Sequence, residues 1–234
     1  MSTPKPRRSP KPQERQRDPE RTRGLILDAA TAEFAAHGYA GARLSAIATR
    51  AGVNQQLISY YFDGKEGLYR ALGERWRQRQ GELVSPATPL PEQIRRYALE
   101  ALDNPDGVRL LAWSGLEYAG PHTDPDQAPR SEALRGYVDE VRARQAAGRL
   151  PDEVDPACLS IMLMAAAMAP VTLPHVVEGV CGADPHSPEF VRHYAEQVSL
   201  VARLLGLGPE RHPEDRSEQR PEDRSEQHTE QRAE

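Results

Sequence analysis

The sequence predicts an all-α fold of about nine helices, with a small N-terminal domain followed by a larger helical body. Three observations lead there. Capping residues followed by proline recur along the chain, and apolar side chains then repeat at three- and four-residue steps. No segment alternates with period two over a strand-length window flanked by turn residues.

Each element follows from its residues. Residues 1–17 carry Pro4, Pro6, Pro10 and Pro12 among Lys5, Arg7, Arg8, Lys11, Arg15 and Arg17, and predict a disordered basic arm. Asp18-Pro19 then reads as a helix start, with the Asp side chain as cap and Pro at the first helical position. The helix expected over 19–37 places Ile26, Ala30 and Phe34 on one stripe. Short helices over 44–51 and 55–61 and a longer one over 64–80 complete a domain spanning 18–80. In the body, 81–207, the expected helices are 91–103, 105–119, 131–148, 156–169 and 188–206. Asn104-Pro105, Asp155-Pro156 and Ser187-Pro188 mark three of their starts. Ile94, Ala98 and Leu102 form one apolar stripe; Leu134, Val138 and Val141 form another. Val191, Val198, Val201 and Leu205 line the last. A polar tail over 208–234 repeats Pro-Glu-Asp-Arg-Ser-Glu-Gln at 213–219 and 221–227, with no apolar face to stack.

Charge is distributed unevenly along the chain. Residues 1–62 hold ten Lys/Arg against five Asp/Glu, whereas 63–206 hold fifteen against twenty-one. A basic N-terminal part on an acidic body suits one end meeting a polyanion. Cys158 and Cys181 are the only cysteines and lack metal-ligand spacing, so a reduced cytoplasmic state is expected. No apolar run follows the basic N-terminus as a signal peptide requires. The apolar stretch from Leu159 to Pro174 is broken by Pro170 and is short for a membrane helix.

The segment from Ala40 to Phe62 carries the functional signal. Leu44, Ile47, Ala48 and Ala51 make one apolar face, Ala51-Gly52-Val53 a tight turn, and Leu57, Ile58, Tyr61 and Phe62 a second apolar face. Two short helices joined by a Gly-containing turn form a helix-turn-helix, whose second helix enters the major groove of DNA. An αα-hairpin inside a core has a similar pattern. The polar residues left over on the second helix favour DNA: Asn54, Gln55, Gln56, Ser59 and Tyr60 carry the donors and acceptors that base edges and phosphates need. Lys65, in the first turn of the next helix, opposes the helix dipole unless an anion such as a phosphate approaches.

These residues resemble the N-terminal DNA-binding region of the tetracycline-repressor (TetR) family of bacterial regulators. The matching landmarks are Ile26-Leu27-Asp28-Ala29-Ala30, Phe34, Gly38-Tyr39, Ile47-Ala48 and Ala51-Gly52-Val53, then Leu57-Ile58-Ser59-Tyr60-Tyr61-Phe62 and Lys65-Glu66-Gly67-Leu68-Tyr69. The resemblance implies DNA-contacting roles for Tyr60, Tyr61 and Lys65. Two positions depart from the common pattern: Ser59 stands where many members have Tyr, and Arg43 where many have a small hydroxyl residue. Arg43 at the start of the second helix can replace the lost phosphate contact, and Ser45 beside it completes the expected DNA-binding set.

The resemblance further implies a body with an effector pocket and a dimer face. It implies a ligand-responsive repressor that binds a pseudo-palindromic operator as a homodimer and changes the spacing of its recognition helices when effector binds. Tyr97, Leu110, Trp113, Leu116, Glu117 and Tyr118, with Met162 opposite, are the expected pocket for a small, largely hydrophobic molecule. The run Leu159 to Met168 is apolar around most of its helix. That fits either a monomer core or, as the family implies, pairing of 156–169 and 188–206 with a second subunit. The arm over 1–17 can reach a minor groove or add nonspecific phosphate affinity. No Gly-rich phosphate loop, nucleophile elbow or metal-spaced His pair is present, so neither catalysis nor a cofactor is expected. His175, Cys181 and His186, with Cys158 further back, leave a regulatory metal site as the alternative.

Overall fold

Apolar stripes and proline-marked starts of this kind close into a two-lobed stack of helices. A computed structural model describes residues 12–120 and 122–208. Among them are ten helices and no strand: α1 (Pro12–Gly41), α2 (Leu44–Ala51), α3 (Gln55–Phe62), α4 (Gly64–Leu83), α5 (Leu90–Asp103), α6 (Pro105–Leu116), α7 (Gln127–Ala146), α8 (Pro156–Thr172), α9 (Pro174–Cys181) and α10 (Pro188–Leu204).

Three of the expected starts carry their caps. Asn104 Oδ1 accepts from Gly107 N, Asp155 Oδ1 from Cys158 N, and Ser187 Oγ from Phe190 N. The first start differs: Asp18-Pro19 does not begin a helix. The chain is already helical from Pro12, and α1 crosses Pro19 with the loss of one i→i−4 bond. The end of the expected disordered arm, residues 12–17, is thus helical; residues 1–11 and 209–234 lie outside the described residues. The second difference is α9. Pro170 and Pro174 looked like breakers of a single apolar run, but α8 continues through Pro170 and Pro174 sits in the first turn of a new helix.

α1–α4 bury one core. Ile26, Ala30 and Phe34, four residues apart on α1, are fully enclosed with Ile47, Ile58 and Leu68. In the body, α5 is the central helix, packed along α10 and against α8. Its Leu90, Ile94 and Ala98 meet Val141, Leu159, Ala195 and Ala202. α6 leaves the body and runs along α1, joining the lobes. No single described helix is long and apolar enough to cross a membrane; α8 and α9 together have the length but are bent by 79° at their junction.

Candidate DNA interface and inner cavity

The first lobe presents α3 outward by burying only one edge of it. Ile58 and Phe62, one turn apart, anchor α3 in the core. Gln55, Gln56, Ser59 and Tyr60 are exposed, with Tyr60 at 80%. Asn54 caps the helix, its Oδ1 accepting from Gln56 N at 2.9 Å, which commits that oxygen and leaves its amide N–H groups. The turn before it closes through Gly52, at φ 67°, and Val53, whose N–H donates to Ala48 O. Arg43 and Ser45, at the start of α2, are also exposed. Glu33 is buried and accepts from the Arg43 backbone N–H, which fixes where α2 starts.

The turn from α3 to α4 is unusually tight. Asp63 adopts φ 57°, a left-handed conformation uncommon outside glycine, and Gly64 follows at φ 87°. Gly67 then lies so close to the end of α3 that a Cβ would stand 1.8 Å from Phe62 O. Lys65, predicted as a phosphate contact, is half-buried: its Nζ donates to Ala40 O at 3.2 Å and lies 5.0 Å from the Tyr39 ring centre. Burial lowers its pKa, while Glu117 and Glu33 oppose that shift. Tyr61 is partly buried, edge-on to Tyr60 at 5.2 Å.

Two features here were not read from the sequence. Leu57, assigned to the buried face, is 37% exposed beside Gln56. Arg23 on α1 donates to Tyr61 O at 3.3 Å, and its guanidinium lies 4.5 Å from the Phe62 ring centre, holding the C-terminal end of α3. An Arg so far upstream gives no local signal of its partner.

The body encloses a cavity of about 400 Å³. Trp76 of α4, Val84 just beyond its end, Ile94 and Tyr97 of α5, and Leu163 and Met164 of α8 are among the side chains that line it. Of the pocket residues expected from the sequence, only Tyr97 lines this space. Leu110 packs against the core of the first lobe and borders a separate space of about 30 Å³. Trp113 and Glu117 face α1 instead: Trp113 Nε1 donates to Ala35 O at 3.0 Å, and the Glu117 carboxylate accepts from Tyr39 N at 2.7 Å and Ala40 N at 3.1 Å. The chain makes room for that carboxylate at Gly38, where φ is 68° and a Cβ would lie 2.3 Å from Glu117 Oε1. Leu116 and Tyr118 are exposed at the end of α6. Met162 points outward at 61% exposure. Met164, two residues and roughly 200° around the helix, faces the cavity in its place.

Polar walls of the cavity are tied to α4. Arg77 donates to both oxygens of the buried Asp126 at 3.0 and 2.8 Å, and Arg79 donates twice at 2.7 Å to the buried Glu100. Burial raises the Asp126 pKa against the pull of Arg77. Among the described residues no group of His, Cys, Asp and Glu is arranged to hold a metal ion. On the outside, Ile161 and Met162 of α8 and Val201 and Leu204 of α10 leave apolar stripes open to solvent.

Two family models match this layout. Residues 26–72 match the model of bacterial regulatory proteins of the tetR family, and residues 90–203 match a tetracyclin repressor-like C-terminal domain. The chain belongs to the TetR family. A transcriptional repressor of Streptomyces coelicolor, SCO4008, is 36% identical over 193 residues, covering 81% of this chain and 97% of its own. The transcriptional regulator RutR of Escherichia coli is 30% identical over 195 residues, 79% of this chain and 89% of its own. Among solved structures, S. coelicolor SCO4942 shares 30% identity over 78% of this chain and 97% of its own, with a TM-score of 0.63. AibR, solved with isovaleryl coenzyme A and operator DNA, shares the fold at a TM-score of 0.60 and 17% identity, over 81% of this chain and all of its own. These TetR-family relatives are regulators of transcription, and this chain carries both the helix-turn-helix and the helical C-terminal domain of the type.

Proposed function

We propose that the protein is a dimeric transcriptional repressor that leaves its operator when a small, largely hydrophobic effector fills the cavity of the body. The observation that carries this is α4. Its first turn follows the exposed α3, and its last turns, with Trp76 and Gly81, wall the cavity. Occupancy that moves α4 therefore alters the presentation of α3. A ligand that binds the off-operator arrangement more tightly shifts the population toward it.

On the DNA side, Gln55 and Gln56 read base edges, Leu57 meets a thymine methyl, and Arg43, Ser45, Ser59, Tyr60 and Lys65 hold phosphates. Asn54 and Tyr61 set the two ends of α3 and contact DNA with their remaining donors. The domain spanning 18–80 does this work, and the 81–207 body binds effector and partner, in the cytoplasm where the DNA is. The basic arm adds phosphate affinity.

The dimer forms through α8 and α10, whose outward apolar stripes would otherwise remain in water. Ile161→Lys places a charge in that seam, so light scattering should give a monomer for the variant and a dimer for the parent. A parent that is monomeric at micromolar concentration refutes the dimer.

The function itself is tested by selecting genomic fragments with the purified protein and footprinting them. Recovery of a pseudo-palindrome with half-sites about one helical turn apart supports the reading. Fragments with no common sequence, held only at low salt, refute it.

A further inference from the structure

Lys65 and Glu117 meet at one residue, Ala40. The Ala40 N–H donates to Glu117 Oε1 at 3.1 Å, and the Ala40 carbonyl accepts from Lys65 Nζ at 3.2 Å. The neighbouring Tyr39 N–H donates to Glu117 Oε2 at 2.7 Å. Lys65 belongs to the first turn of α4, and Glu117 is the residue that closes α6. A helix that leaves the body and a DNA-facing side chain thus share one short piece of backbone.

That backbone is shaped for a carboxylate. Gly38 breaks the regular helix at φ 68° and ψ −178°, and the two successive N–H groups after it both turn to Glu117. Successive amides of this kind form a concave anion site, and hydrogen bonds to a charged acceptor are among the stronger ones. A Cβ at position 38 would collide with Oε1. Trp113 Nε1, one turn earlier on α6, donates to Ala35 O, so α6 grips the end of α1 at two heights.

Lys65 depends on the same piece. Its ammonium has three N–H donors and gives one to Ala40 O, which leaves two for a phosphate. The Tyr39 ring beside it is fixed independently, edge-on to Tyr69 at 4.9 Å. What Glu117 adds is the position of the Ala40 carbonyl beyond that ring. The Glu117 charge also reaches the ammonium and opposes the fall in pKa that burial imposes. Nearer the start of the same helix, Val108 and Leu111 line the cavity. α6 therefore joins cavity and carbonyl without passing through α4.

We propose that Glu117 is a positioning residue for DNA binding: it holds the Ala40 backbone whose carbonyl places the Lys65 ammonium for a phosphate. This rests on reading Lys65 as a phosphate contact. A cavity occupant that displaces α6 draws Glu117 off both amides, a second route from cavity to DNA beside α4.

A double-mutant cycle in the full-length protein tests it, read as the salt dependence of binding to a mixed-sequence DNA duplex of about 30 base pairs. Lys65→Met should weaken binding about tenfold, the size of one charge-assisted hydrogen bond. It should also make the slope of log affinity against log salt shallower by about 0.9, one phosphate contact. Glu117→Ala should do most of the same and Glu117→Gln less, because the amide keeps one acceptor oxygen. Glu117→Ala added to Lys65→Met should change nothing further. A strut that merely steadies the lobes would add its loss to that of Lys65→Met, or leave the slope unmoved. Either result, with Lys65→Met itself losing slope, overturns the proposal and leaves the phosphate contact standing. A Lys65→Met variant with the parental slope removes the phosphate reading, and the proposal with it. Should Glu117→Ala fail to fold, Glu117→Gln runs the same cycle at smaller amplitude.

Discussion

α3 and α8 use apolar residues in opposite ways. α3 has eight residues, of which Ile58 and Phe62 go inward while the polar ones remain outside. α8 has seventeen, nearly all apolar, and they have three destinations. Leu159 and Ala167 enter the core, Leu163, Met164 and Met168 face the cavity, and Ile161 and Met162 face outward. A helix that contrasts in polarity announces its orientation. A uniformly apolar helix conceals it, because each face is equally content in a core, a pocket or a subunit seam.

The sharpest break between the lobes is steric. Gly67→Ala drives a Cβ into the Phe62 carbonyl, a backbone atom that cannot turn aside. Urea unfolding should show a loss of about 3 kcal/mol. Gly115→Ala, in open space on α6, should instead gain up to about 1 kcal/mol. If the two glycines respond alike, the first lobe is less tightly constrained than described.

Next in size is the joint between the two regions. Glu117→Ala removes the acceptor for Tyr39 N and Ala40 N and should cost about 2 kcal/mol. Glu117→Gln, with one suitable oxygen, should recover part of that. An unchanged melting temperature for Glu117→Ala means the lobes are joined elsewhere.

A smaller effect depends on pH and belongs to the body alone. Hydrogen bonding from Arg95, then Arg96, pulls the Glu92 pKa from its ordinary 4.5 down to about 2. Because the folded value is depressed, the pair stabilises fully above pH 4.5, and that stabilisation is lost as pH falls through about 2. At this partly exposed site it amounts to about 1 kcal/mol after screening. Glu92→Gln should lower stability at pH 7 and match the parent near pH 2. A constant difference across that range contradicts the assignment.

The smallest is a slope. Arg43→Ala should weaken binding to every DNA sequence alike and reduce the salt dependence by about one phosphate contact. A sequence-selective loss would move Arg43 from the backbone to a base edge.

The DNA-facing half was legible because its information is local. Leu44, Ile47 and Ala48, then Gly52, then Ile58 and Phe62 lie within one short stretch, and what they do not bury must be exposed. Leu57 escaped because an apolar residue beside Ile58 reads as core. The body was legible only in its helices. Trp113 and Glu117 looked like pocket residues, since a large ring and a carboxylate on one helix suit a ligand. Their actual partners, Ala35, Tyr39 and Ala40, lie more than seventy positions earlier. Met162 and Met164 are chemically identical, and only the packing of α8 decides which faces inward. α9 was hidden because Pro174 serves equally as a stop or a start.

The length of α4 sets the mechanical scale of any response. From Gln80 back to Lys65 is a rigid lever arm of about 22 Å at about 1.5 Å per residue. A pivot of about 9° at the cavity end sweeps the other end by about 3.5 Å, close to the roughly 3.4 Å rise between successive base pairs. A rotation that small moves the reading end of α4 by about one base step, which is a lateral shift of only about 0.9 Å per helical turn along the lever.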